Sequence, residues 1–123
     1  MKVVSTSNAP AAIGPYSQAI DLGNMVFVSG QIPVDPATGA VAGETIVEQA
    51  KQVMANLQVI LAAAGTTPER AVKTTCFLAD MADFAAFNEI YAQSFTSKPA
   101  RSCVAVRTLP KGVLCEVEVV AEI

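Results

Sequence analysis

From Val113 to Glu122 the chain places apolar and polar side chains almost alternately, and no other segment constrains the fold as tightly. Successive strand side chains point to opposite faces of a sheet. Val113, Cys115, Val117, Val119 and Ala121 therefore make one apolar face, and Leu114, Glu116, Glu118, Val120 and Glu122 make the other. The first face demands a covering layer, most simply helices. The second mixes charge with Leu114 and Val120, which suits either solvent or a subunit interface that holds a site.

Upstream, Pro99-Ala100-Arg101-Ser102-Cys103 begins another extended run, and Leu109-Pro110-Lys111-Gly112 reads as the turn between the two. This predicts a hairpin in which Thr108 faces Val113, Cys103 faces Glu118 and Ala105 faces Glu116. Arg101, Cys103, Ala105 and Arg107 would then share a face with the carboxylates. A slip of one residue would break that coincidence. An arginine beside carboxylates on a sheet can seat a carboxylate ligand and position a water.

Few other constellations are open to this chain. It has no His, and its three cysteines, Cys76, Cys103 and Cys115, lack metal-ligand spacing, so no metal site is expected. A net charge of −3 with no basic cluster disfavours nucleic acid as a partner. No apolar run approaches the roughly 20 residues that span a bilayer, and no leader is expected from the opening residues. Unpaired thiols fit the cytoplasm. The length of 123 residues reads as a single domain, 1–123. The 52% hydrophobic content and mean hydropathy of +0.43 point to surface buried between subunits; an Ala- and Val-rich core is the alternative.

Along the chain, Lys2–Ser5 reads as a short strand. Gln18–Leu22 and Met25–Ser29 read as strands joined at Gly23-Asn24, a hairpin signal. Gly30–Gly43, rich in Gly and Pro, is an irregular excursion. Thr45 and Glu48 match a capping box, and Ile46, Ala50, Val53, Leu57, Ile60 and Leu61 follow at helical spacing up to Gly65. Ala71–Leu78 is a β-branched strand. Asp80 or Asp83 caps a second helix whose stripe of Phe84, Phe87, Tyr91 and Phe95 is expected to pack on the sheet. The predicted order is β-ββ-α-β-α-ββ: an α+β fold with a mixed sheet and both helices on one face.

Several residues have both a functional and a structural reading. Tyr16, after a tight turn, either closes a pocket or is buried with a backbone partner. Ser29-Gly30 either offers a hydroxyl and an N–H as donors or merely bends into the loop, since Gly lets a ligand approach the backbone. Asn88 alone would be a solvated helix residue. Arg101 either grips a carboxylate through its two-pronged fork or pairs with Glu118. Glu116 and Glu118 serve either a site or a solvated face. Cys103 is a poor candidate nucleophile, because nearby carboxylates and the lack of His disfavour its thiolate.

Taken together, AIGPYSQAI, MVFVSGQIPVDPATG, NLQVILAAAG, DFAAFNEIYA, PARSCVAV, LPKG and EVEVVAEI resemble the Rid (reactive intermediate deaminase, YjgF-type) family nearly end to end. The resemblance implies a chorismate-mutase-like fold, a homotrimer with three clefts between subunits, and cofactor-independent hydrolysis of 2-imino acids such as 2-iminobutanoate and 2-iminopropanoate to 2-oxo acids and ammonia. By matching position, Arg101 grips the substrate carboxylate and Glu116 holds the attacking water. Gly30 and Cys103 line the pocket through their backbones, and Tyr16, Ser29 and Asn88 fall at other pocket positions. The chain departs from the pattern at Ser94–Lys98, a short loop with Ser94 where an aromatic residue is common. An imine carbon is already electrophilic, so orienting substrate and water and supplying protons is enough. The rival readings are a non-enzymatic trimer that binds small carboxylates, a stress-activated chaperone and an RNA-cleaving inhibitor of translation. The last fits poorly with the missing His and the charge of −3.

Overall fold

A computed structural model describes all residues from Met1 to Ile123. Six strands form one sheet: β1 (Lys2–Val4), β2 (Ala19–Asp21), β3 (Met25–Gln31), β4 (Ala71–Leu78), β5 (Ala100–Ala105) and β6 (Cys115–Glu122). Two helices, α1 (Ile46–Ala63) and α2 (Phe84–Ser94), separate β3 from β4 and β4 from β5. The element order is the predicted one. No helix is long and apolar enough to cross a membrane.

Local chemistry explains the boundaries of α1. Thr45 Oγ1 accepts from the Glu48 N–H, and Glu48 Oε1 accepts from the Thr45 N–H, so each side-chain oxygen satisfies the other residue's otherwise unpaired backbone donor. At the far end Gly65 sits at φ 87. The Gly65 N–H reaches Ala62 O at 3.0 Å and the Thr66 N–H reaches Leu61 O at 3.0 Å, the paired bonds that close a helix on a left-handed residue. The buried face carries Ala50, Val53, Leu57, Ile60 and Leu61. It packs with α2 against Val26, Val28, Cys76, Leu78, Val117, Val119 and Ala121 of the sheet. Phe87, Tyr91 and Phe95 of the expected aromatic stripe are buried in this core, with Phe84 at its edge.

Two polar side chains of α1 fasten the irregular segments to this layer. Asn56 Nδ2 donates to the carbonyls of Ile32 and Val34. Gln49 Nε2 donates to Gly43 O, and its Oε1 accepts from the Leu114 N–H at 2.7 Å. No buried side-chain polar atom is left without a partner.

The strand order is β1-β2-β3-β6-β4-β5, and it overturns the predicted C-terminal hairpin. β6 does not pair with β5. It lies antiparallel between β3 and β4, while β5 runs parallel to β4 at the edge. The segment after β5 crosses the end of β4 instead of turning back: the Val106 N–H donates to Leu78 O and the Ala79 N–H to Leu114 O. The physical reason lies in burial. Alternate residues of β6 are fully buried (Cys115, Val117, Ala121) or nearly so (Val119), which a central position satisfies. No residue of β5 is buried, so its pattern tolerates an edge.

Candidate functional site

The topology divides the predicted site residues between the two faces of the sheet. Arg101 is in register with Thr74 and Cys103 with Cys76, and Thr74 and Cys76 in turn oppose Val119 and Val117. Cross-strand partners share a face, so Arg101 and Cys103 belong to the helix-covered face. Glu116 and Glu118 oppose Phe77 and Thr75 and belong to the bare face. The expectation that Arg101 and the carboxylates share one face is therefore wrong within a single chain. Arg101 and Glu116 are two strands and three residues apart, roughly 10 Å in each direction, and they point opposite ways. The Arg101–Glu118 ion pair considered above is likewise absent; the only ion pair joins Arg70 and Glu122.

On the helix side, α2 builds a seat for Arg101. Its Nη1 donates to Asn88 Oδ1 at 2.7 Å. The guanidinium lies 4.8 Å from the Tyr91 ring centre and 5.5 Å from that of Phe84, within the range of attraction between a cation and an aromatic face. Tyr91 is fixed in turn by a 2.7 Å hydrogen bond between its hydroxyl and that of Thr74. Phe84, Asn88 and Tyr91 are spaced four and three residues apart, one face of one helix. Reading the aromatic stripe as core alone missed Phe84 and Tyr91 as partners of the arginine; the polar Asn88 within that stripe was the available signal. The guanidinium carries five N–H donors, and with one bond to Asn88 and no carboxylate partner it is held in place yet still able to bind.

Cys103 borders this seat. Burial pushes its thiol up, opposed by the Arg101 charge and by a contact with Cys76. Burial also pushes the Cys76 and Cys115 thiols up to about 12. None of the three is set up as a thiolate nucleophile.

The other cluster forms on the bare face around a bulge. Val28 opposes Val119, but Gln31 opposes Val117, so β3 carries one extra residue at Ser29-Gly30. The strand thus runs past Ser29, where it was expected to end, to Gln31. The Glu116 carboxylate packs directly on the Gly30 Cα, in the space a β-carbon would occupy. Glycine is needed here for close approach. Burial raises the pKa of Glu116, and the charge of Glu118 adds to the rise.

Gly30 and Tyr16 line a common pocket of about 480 Å³ with Gln31 and Lys111. Tyr16 is exposed, not buried, and its phenol oxygen accepts from the Ile13 N–H at 3.3 Å. The Ser29 hydroxyl donates to Ser17 O at 2.6 Å. Its one proton is thus committed to the loop before β2, so it is not the free donor considered from the sequence.

Residues 6–123 match the family model described as Endoribonuclease L-PSP. The chain is 53% identical over 124 residues to the 2-iminobutanoate/2-iminopropanoate deaminase of Salmonella typhimurium, covering 98% of this chain and 96% of that protein. The solved structure of the YjgF gene product from E. coli is 48% identical, with a TM-score of 0.94 over 99% of this chain and 98% of that one. The structure of E. coli TdcF with bound serine is 45% identical, with a TM-score of 0.95 over 100% of this chain and 99% of that one. The α+β fold seen here is thus the fold of those proteins, and the chain belongs to the L-PSP endoribonuclease family, the family of YjgF and of the Salmonella imine deaminase.

Proposed function

We propose that this protein hydrolyses reactive 2-imino acids, or their enamine tautomers, to 2-oxo acids and ammonia, in clefts formed between copies of the chain in a cytoplasmic homotrimer. The observation that carries the reading is the seating of Arg101. Its guanidinium is clamped by Asn88, stacked on Tyr91 and Phe84, and left without a carboxylate of its own. A fork in that state presents bidentate donors to a small carboxylate. The name of the 53%-identical Salmonella relative supports the same chemistry.

The geometry supports assembly from several copies. Arg101 and Glu116 face opposite sides of one sheet, so a cleft using both takes them from different copies. The bare face also carries Phe27 and Val104, each nearly half exposed, as a face packed against another subunit would. In the cleft Arg101 holds the substrate carboxylate. Glu116, beside the Gly30 backbone, accepts a proton from water as the oxygen attacks the imine carbon, and passes it to the departing nitrogen. Ammonia leaves and a 2-oxo acid remains. A carboxylate whose pKa is raised toward the working pH exchanges protons better than an ordinary one. Tyr16 and the backbones of Gly30 and Cys103 complete the wall.

The test couples an amino-acid oxidase or threonine dehydratase to the protein and follows the decay of fresh 2-iminobutanoate. Acceleration over buffer is expected. Decay at the buffer rate, with tight binding of small carboxylates, would instead make the protein a non-enzymatic binder.

A further inference from the structure

The Arg101 seat opens into a pocket of about 310 Å³ between α2 and the start of β5, lined by Asn88, Tyr91, Phe95, Lys98 and Arg101 among others. Two of the eight basic side chains of a net acidic chain thus border one small pocket. No carboxylate lines it, and neither cation has an ion-pair partner. Like charges placed together without a counter-charge repel one another.

The backbone at Lys98 is also held at a cost. Only Lys98 and Lys111 among the non-glycine residues have positive φ, each at 56°. Left-handed backbone disfavours a long side chain, and the following Pro99 restricts Lys98 further. The turn closes through the Lys98 N–H on Phe95 O at 3.3 Å, a bond that Gly or Asn would make with less strain. Strain of this kind collects at ligand sites. Here it falls on the second cation that borders the pocket of the arginine.

We propose that Lys98 is a specificity residue that reads a second anionic group, so that the pocket favours imino acids whose side chain ends in a carboxylate over those ending in a methyl group. The proposal rests on the reading of Arg101 as the ligand for the substrate's first carboxylate. One end of the ligand takes the fork of Arg101 and the other meets the Lys98 ammonium. Because Lys98 is exposed, the second contact is a solvent-screened one.

The experiment compares two five-carbon 2-oxo acids, 2-oxoglutarate and 2-oxopentanoate, which differ only in a terminal carboxylate against a methyl group. Calorimetry at low ionic strength is expected to show 2-oxoglutarate bound about three- to fivefold more tightly, the size of an exposed ion pair. Added salt should shrink the ratio. Lys98→Asn, which suits the left-handed backbone, should abolish the preference by weakening 2-oxoglutarate alone, and Lys98→Arg should restore it. Equal affinities in the unmodified protein, or no binding of either acid, would overturn the proposal. A preference that survives in Lys98→Asn would also overturn it, leaving Lys98 as a cation at the end of α2. Turnover of 2-iminobutanoate by the unmodified protein is read separately. Acceleration without a dianion preference would sink the specificity while the deaminase reading stands.

Discussion

The two faces of the central sheet are built to different degrees of completion. On the helix face Val117, Cys76 and Leu78 are wholly buried, and even the charged Arg101 at its border has a hydrogen bond and two aromatic neighbours from the same chain. On the bare face Phe27 and Val104 stand exposed, and Glu116 is half-buried against a glycine with no cation paired to it. On the proposed reading the contrast marks two half-sites of one chain: an anion seat built within the chain, and a carboxylate on a bare surface that another copy would enclose.

Matched charges test that contrast most severely. Val117→Asp buries a carboxylate under the helices and should unfold the chain, at a cost of several kcal/mol. Phe27→Asp places the same charge on the bare face. It should leave far-UV circular dichroism and chemical stability of the subunit near normal, while light scattering shows loss of the trimer of about 38 kDa, three times the 12.8 kDa chain, and turnover disappears with it. A stable monomer at micromolar concentration in the unmodified protein would break the comparison outright.

Next in size is the seat itself. Arg101→Ala should lower imine turnover on the order of 100-fold or more with the assembly intact, and Arg101→Lys should recover little, because a point charge does not replace the fork. Most of the activity persisting in Arg101→Ala would remove Arg101 from the site.

Glu116→Gln should lower turnover by about 100-fold with modest change in carboxylate affinity, whereas Glu118→Gln should affect assembly more than turnover. The pH dependence sharpens this. The pKa of Glu116 in the folded chain is raised, so its charged form is the disfavoured one. Its favourable contribution to stability is present in acid, where it is protonated, and is lost as pH rises through that raised pKa. Glu116→Gln should therefore melt higher than the unmodified protein at pH 7, with the difference vanishing below the ordinary carboxylate range. In the active protein turnover should fall on the acid side above that ordinary range. An unchanged acid limb in Glu116→Gln would end its role as base.

The smallest effect concerns the helix layer alone. Thr45→Ala removes the cap of α1 and should cost about 1 kcal/mol in denaturant unfolding without changing turnover per folded protein. A large loss of turnover would show that α1 reaches the site more directly than through Gln49 and Asn56.

The order of elements, the capping box at Thr45, the Gly65 stop, the Gly23-Asn24 turn and strand Ala71–Leu78 were legible in the sequence, because each is fixed by contacts within a few residues or by a single periodicity. The inward face of β6 was legible too, since alternation alone separates Val117 and Val119 from Glu116 and Glu118. Asn88 was legible only as part of a family pattern; its bond to Arg101 spans two elements. Which strands are neighbours was not legible. Both a hairpin of β5 on β6 and the observed insertion of β4 between them satisfy every local preference of Leu109–Gly112. Burial over the whole molecule chose between them, giving the apolar β6 two neighbours and leaving β5 at the edge. That choice, made by the helices and β4 together, put Arg101 and Glu116 on opposite faces of the sheet.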